Sequence, residues 1–401
     1  MTPRHTRRPG RRSVLVALGG AVVAAPAVAA LGPHALAGTT GGDRSSAAAG
    51  SLPLTIVNDS GSFANTSVRV YIVGNQDGRQ VRVTPDGTLA PVALSDNGSD
   101  GFTDYAIALA GSGETRLSLP YMSGRIYVSL GAKLKFKVVS DGNGNPALQY
   151  PAGWVTSDPN YGVLHDCAEF TYNSSGMFCN TTMVDMFSVP LSIRLTGAKE
   201  QTTGTLRDGG RAAAFAAVRQ VEEFARLVVD DTRIIAPGHG LDAGLFPKDY
   251  LAPYIDEVWS TYTGRDLTVT TNAGTFTGRV RGERLTFDGP AQVSFGKPST
   301  RDVLFCDGAL AAPNDGTTGP VAAVLGAGFN RSTLLSHPAQ PTTDASTFYR
   351  TALTNHYARA LHAASRDGKA YGFAFDDVAD FASYIQDTAQ TGLRLTLTPF
   401  A

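Results

Sequence analysis

The stretch from residue 52 to residue 139 constrains the fold most. It breaks into short runs at 52–57, 67–73, 80–84, 105–110, 115–119, 125–130 and 134–139, with turn chemistry such as Asn58-Asp-Ser-Gly61 and Asn75-Gln-Asp-Gly78 between the first of them. The runs are alternating or β-branched, which is how half-buried strands read. Closely spaced strands, with no helical period before residue 205, predict a β-sandwich or barrel.

After residue 205 the pattern changes. Ala214, Ala217, Val218, Val221, Phe224, Ala225 and Val228 recur at three and four, predicting an amphipathic helix over 209–229. A buried strand at 233–236 follows, with Pro237-Gly-His-Gly240 expected as a loop. Further helices are expected at 248–262, interrupted early by Pro253, within 319–335, and at 346–364 with Tyr349, Leu353, Tyr357 and Leu361 on one stripe; 266–306 reads as short strands. The final run, 393–398, alternates as a strand, so the chain is expected to return to its first part. The expected division is a β domain at 51–200, a mixed α/β domain at 201–368 and a return to the β domain at 369–401.

Ahead of these, Arg7-Arg8 and Arg11-Arg12 precede an Ala/Val/Leu run that ends in Ala35-Leu-Ala37. That layout matches a twin-arginine export signal over 1–37, followed by a flexible linker over 38–50. Secretion is therefore expected. No later apolar stretch reaches the roughly 18 residues of a membrane span, so no membrane partner is expected. A net charge of −1 with 34 Lys and Arg leaves no electrostatic footprint for nucleic acid. Three cysteines allow at most one disulfide. Cys167 and Cys179 flank one turn and are the better-placed pair, although the sequence leaves their bonding open.

The chemistry concentrates between residues 165 and 193. Asn173-Ser-Ser-Gly176 is turn chemistry between two strand-like flanks, each carrying one acid, Glu169 and Asp185. Strand alternation projects Glu169, Thr171 and Asn173 from one face as an acid, a hydroxyl and an amide, a row suited to a polyhydroxylated ligand. Two acids so placed can protonate a leaving oxygen and activate water. Two acids on a solvated strand face are the plainer alternative. If Ser174-Ser175 forms the tightest turn, Glu169 lies opposite Asn180 and Asp185 falls on the wrong face. A wider loop or a bulge would bring the acids opposite each other.

Ala168-Glu-Phe-Thr-Tyr-Asn173 and Val184-Asp-Met-Phe-Ser-Val-Pro190 resemble the acid-bearing strands of thaumatin-like proteins, and more closely those of the glycoside hydrolase family 64 β-1,3-glucanases. Segments 124–136, 246–254 with Glu257-Val-Trp259, and 355–357 through 368–373 resemble that family in the same order, and 370–378 resembles the aromatic-plus-Asp-Asp ending of thaumatin-like proteins. The resemblance implies a mainly β fold with α/β: a thaumatin-like β domain beside a mixed α/β domain, with a wide groove between them. It implies an endo-β-1,3-glucanase that takes long β-1,3-glucan such as laminarin or curdlan and cuts it by inversion to short oligosaccharides, typically the pentamer; a secreted monomer without cofactor or metal is expected. The competing expectation is a glucan-binding thaumatin-like protein without turnover.

On this resemblance Glu169 and Asp185 are the catalytic pair, and Thr171 and Asn173 contact substrate. Phe178 stands where the family tends to carry Trp, and its ring offers a sugar face of smaller area. Glu169 is expected as general acid and Asp185 as general base, with Phe170 and Tyr172 expected to desolvate Glu169. His239 is read as a turn histidine without chemistry, the alternative being a loop residue near the groove, and His356 as a core group. Asp376-Asp377 either lines the cleft or caps a turn. Trp154 and Trp259 are alternative sugar platforms, with Trp259 favoured as core. His165 and Asp166 lack metal-site spacing.

Overall fold

The computed structural model describes residues 50–400; the expected export signal lies outside them, as does the expected linker apart from its last residue. Two sheets are built largely from the first part of the chain. The five-stranded sheet runs Glu200–Thr203, Leu191–Thr196, Gly392–Leu397, Ser51–Asn58, Thr115–Pro120. The eight-stranded sheet runs Tyr384–Asp387, Gly176–Thr181, Leu164–Asn173, Met122–Leu130, Val68–Gln76, Arg79–Val83 and Leu89–Pro91, with Ile107–Ala108 also paired to Val68–Gln76. Alternate residues of both sheets, including Ile56, Val70, Ile126, Phe170, Met177, Ile193 and Leu395, form one apolar cluster between them. The chain's last strand pairs in parallel with its first, Leu54 with Leu393 through Asn58 with Leu397, so the two ends of the described chain share one sheet.

The helices and a second five-stranded sheet, Val293–Gly296, Arg284–Asp288, Gly274–Arg281, Leu267–Thr271 and Ala339–Gln340, come between. In that sheet Gly274–Arg281 alternates buried Phe276, Gly278 and Val280 with exposed Thr275, Thr277, Arg279 and Arg281, and the buried side packs on helix Ala252–Gly264. Phe276, Phe287, Trp259, Tyr262, Phe329 and Leu361 belong to a second apolar cluster, which also takes in Met183 and Phe187. The segment between the two sets of strands is thereby anchored in the core of the helical part.

Four expected helices differ in detail. The 209–229 pattern becomes Gly210–Arg219 and the short Glu222–Ala225, followed by a strand at Val228–Val229. β-Branched Val221 takes extended backbone (φ −101°, ψ 115°), which redirects fully buried Phe224 and Leu227 into the core. Helix Ala252–Gly264 starts four residues later than expected, with Pro253 in its first turn, where a missing N–H costs nothing. The 319–335 helix is realised as Thr318–Asn330. Of 346–364 only His356–Ala364 is α-helical, because Asn355 caps it by accepting from the Ala358 N–H and Tyr349 takes φ 58°; a single 3-10 turn, Ala345–Thr347, stands at the other end. Pro237-Gly-His-Gly240, expected as a loop, is instead the start of helix Pro237–Asp242.

Candidate active site

Strand Leu164–Asn173 lies between Met122–Leu130 and Gly176–Thr181. Its Ala168, Phe170 and Tyr172 face the core shared by the two sheets, leaving Glu169, Thr171 and Asn173 on the opposite side. Phe170 and Tyr172 therefore do not desolvate Glu169, contrary to expectation, because neighbours along a strand point to opposite faces. The hairpin is the tight one. Asn173 pairs with Gly176, the Asn173 side chain accepts from the Ser175 N–H at 2.8 Å, and Glu169 falls opposite Asn180 and Thr171 opposite Phe178. A side chain on Gly176 would meet the Asp387 carbonyl at 2.5 Å, so this turn needs glycine.

Asp185 reaches the site by a different route from the one strand pairing would give. Gly176–Thr181 ends before it, and the chain crosses to the short strand Met186–Phe187, which pairs with Arg233–Ile235 in a separate sheet. Met183 and Phe187 are buried in the helical part's core, the Tyr357 hydroxyl donates to the Met183 carbonyl at 2.6 Å, and the Ala236 N–H donates to the Asp185 carbonyl at 3.1 Å. These contacts fix the segment and leave the Asp185 side chain turned back toward Glu169.

Arg125 joins the two acids. It is the cross-strand partner of Glu169, and its Nη2 and Nε reach Glu169 Oε1 at 2.8 and 3.0 Å. Its Nη1 lies 3.6 Å from Asp185 Oδ2 and donates to the Tyr127 hydroxyl at 3.2 Å. Asn180 Nδ2 donates to Glu169 Oε2 at 3.3 Å. His239 Nε2 is 2.9 Å from Asp185 Oδ1, and its ring stacks on Trp154 at 4.4 Å and meets the edge of Phe305. The Glu169 and Asp185 side chains are 23% and 25% exposed, which leaves them accessible from solvent. Burial pushes the Asp185 carboxyl up, but the His239 hydrogen bond and the charges of Arg125 and His239 outweigh it and hold the group below the usual carboxylate range. A cavity of about 20 Å³, room for one water, is lined in part by Arg125, Tyr127, Trp154, Cys167, Thr182 and Asp185.

Glu169, Asp185, Thr171 and Phe178 thus share one side of the sheet, Thr171 and Phe178 half-buried and Asn173 exposed at the hairpin end. The sequence does not single out Arg125, since an Arg at the start of a strand-like run reads as a solvated residue, and the tight turn places Asn180 opposite Glu169 without giving it a role there. His239 is a contact of Asp185, not a turn residue. Trp154 lies in the site as its stacking partner, whereas Trp259 is buried in the helical core. Asp376 neither lines the cleft nor caps an exposed turn. It is fully buried between Arg331 (3.1 Å) and His362 (2.9 Å) and accepts from the Gly372 N–H. All three cysteines are free and buried; Cys179 faces the core of the two sheets and Cys167 the opposite side, so the tight register keeps them apart. Among the described residues no group of three His, Cys, Asp or Glu could hold a metal ion, and no helix is long and apolar enough to cross a membrane.

The chain matches the glycoside hydrolase family 64 β-1,3-glucanase model over residues 50–397. It is 34% identical over 375 residues to a glucan endo-1,3-beta-glucosidase of Cellulosimicrobium cellulans and 35% identical over 370 residues to one of Arthrobacter sp. (strain YCWD3). Each match covers 88% of this chain but 66% of the relative, so the chain spans just under two thirds of their length. The fold superposes on a laminaripentaose-producing beta-1,3-glucanase in complex with laminaritetraose at a TM-score of 0.80, with 37% identity, covering 88% of this chain and 99% of that one. A beta-1,3-glucanase domain from Clostridium beijerinckii gives 0.75 and 30%, covering 87% and 98%. With two acids clasped by one guanidinium on the sheet face and a match that runs through nearly all the described residues, the chain belongs to glycoside hydrolase family 64.

Proposed function

We propose that the protein is an endo-β-1,3-glucanase that hydrolyses long β-1,3-glucan to short oligosaccharides by inversion, with Asp185 as general base and Glu169 as general acid. The observation that carries this is Arg125 held between the two accessible carboxylates. A guanidinium inserted between acids keeps them farther apart than a directly hydrogen-bonded pair, leaving room for the water that inversion places between base and sugar; inverting pairs stand roughly 6.5–9.5 Å apart.

Charge assigns the roles. Asp185 has both Arg125 and His239 beside it, whereas Glu169 has, among the described residues, Arg125 alone as its charged partner. Asp185 is thereby held ionised, so it is suited to take a proton from water. Glu169 is then the group that carries the proton to the leaving oxygen. That transfer completes cleavage as the water oxygen bonds to the anomeric carbon and its proton passes to Asp185.

Thr171, Phe178 and Asn173 continue the face along which a glucan would lie, with the Phe178 ring available to a sugar face. In this reading the two facing sheets are the thaumatin-like part, the helical part forms the other wall of the groove, and the protein acts outside the cell after twin-arginine export. The supports are the order of family-like segments and the Arg-Arg leader in the sequence.

The test is reducing-sugar release from laminarin by the wild type, Glu169→Gln and Asp185→Asn, with NMR of the first-formed anomer. Loss of turnover in both folded variants and an α-anomer product are expected. A wild type that binds laminarin without turnover would make it a binding protein, and a β-anomer product would overturn inversion.

A further inference from the structure

His239 is the side chain by which the helical part holds Asp185, and three features of its setting bear on what it does. First, the attachment has two points. The Ala236 N–H, at the head of the helix carrying His239, donates to the Asp185 carbonyl at 3.1 Å, and His239 Nε2 meets Asp185 Oδ1 at 2.9 Å. Backbone and side chain of the same acid are thus tied to one short segment.

Second, the ring is oriented before any substrate arrives. Trp154 stacks on it with an interplanar angle of 25°, and Phe305 meets it edge-on at 82°. Its glycine neighbours permit this approach: a side chain on Gly240 would meet Leu227 Cδ2 at 2.1 Å, and one on Gly238 would meet the Phe305 ring at 3.0 Å. Third, an ionised carboxylate only accepts, so the contact assigns a proton to Nε2 whatever the state of Nδ1.

We propose that His239 is a positioning residue for the reaction: its Nε2–H occupies Asp185 Oδ1, fixes the carboxylate plane and leaves Oδ2 as the oxygen that takes the proton from water. This rests on the assignment of Asp185 as base. The other charged or titratable groups around Asp185 are Arg125, Tyr127 and Cys167 on the sheet, His165 and buried Asp166 lining the same small cavity, Glu169 beyond Arg125, and Tyr357 on the helix behind Met183. Of these only Arg125 joins His239 in contacting the carboxylate.

The alternative is that the ring serves only as filler between Trp154 and Phe305, and two substitutions separate the roles. His239→Phe keeps the aromatic stack and removes the donor; His239→Gln keeps an N–H donor and removes the stack. Each is assayed on laminarin for kcat, KM and the pH profile of kcat/KM, beside Asp185→Asn, with circular dichroism to confirm folding. The expected result is a kcat loss of roughly 10- to 100-fold in His239→Phe, with KM within about twofold and the acid limb moved to higher pH, and recovery of most of kcat and of the acid limb in His239→Gln. The reverse order, or an unmoved acid limb in His239→Phe, overturns the proposal. If His239→Phe does not fold, His239→Ala takes its place under the same criteria. Asp185→Asn keeps the two failures apart: turnover surviving in it would sink the base assignment, whereas its inactivity beside an unaffected His239→Phe would sink only the role of His239.

Discussion

Arg125 faces Glu169 directly across two antiparallel strands, with Nη2 2.8 Å from Oε1, and from that position it also reaches Asp185, which belongs to no strand of the same sheet. The cation therefore links an acid set by strand register to one set by the core of the helical part. Arg125→Leu is expected to reduce kcat/KM on laminarin at least 100-fold and to lower stability by about 2 kcal/mol, because two partly buried carboxylates would face each other unbalanced. Arg125→Lys restores the charge without the fork that touches both acids, and should recover stability better than turnover. Urea titration beside steady-state kinetics separates the two effects.

Activity should persist into acid. Asp185 is held below the ordinary carboxylate range, about 3.9 for an aspartate, so the acid limb of kcat/KM should fall below that value. The same shift has a signed effect on folding. A depressed folded-state pKa adds stability above the unfolded value, and that contribution disappears as pH falls through the folded value. Thermal melts of wild type and Asp185→Asn from neutral to acid pH should converge at the acid end; a constant gap would count against this.

Phe178 stands opposite Thr171 on the acids' side of the sheet, half-buried, with an aromatic ring to offer a sugar. Stacking of this kind is worth about 1 kcal/mol, so Phe178→Ala should raise KM for laminarin about fivefold with little change in kcat, and Phe178→Trp should lower it. Product lengths, read by chromatography, should shift in both variants.

Arg331, Asp376 and His362 form a buried charged cluster away from the acids. Their side chains are 2%, 0% and 6% exposed, and the Arg331 guanidinium lies over the Phe348, Phe373 and Phe381 rings. Removing one partner of a buried pair strands the other charge, so Asp376→Ala should cost about 3–5 kcal/mol in urea unfolding. Any protein that remains folded should keep kcat near wild type, since the cluster touches none of the proposed reacting groups.

The thiols should be silent in the native state. Burial pushes the Cys306 thiol up to about 12 and raises Cys167 and Cys179 as well. Reductant should leave the melting temperature unchanged, and a thiol reagent should titrate all three only in denaturant. A melting temperature that falls with reductant would show a disulfide in solution.

Much of the layout could be read from the chain. β-Branched runs with turn residues between them specify strands, because alternation decides which side each residue takes, and Glu169, Thr171 and Phe178 were legible for that reason. The strong helical period after residue 205 marked the change of architecture but overran its ends. Val221 and Tyr349 leave helical backbone where core contacts require it, and apolar spacing carries no record of that.

What the sequence by itself determined was the face: strict alternation puts Glu169, Thr171 and Asn173 on one side of their strand, while the choice between a tight and a wider turn was left to the fold, which closes it at Ser174-Ser175. What only the tertiary structure decided was the company Glu169 keeps. Strand parity sends Asp185 away from it, and Asp185 returns because Met183 and Phe187 are buried in a core assembled from residues far along the chain, which also brings up His239. Register is a local property, set by turn length and side-chain alternation. The convergence of Arg125, Asp185 and His239 depends on long-range packing, which no local pattern in the sequence encodes.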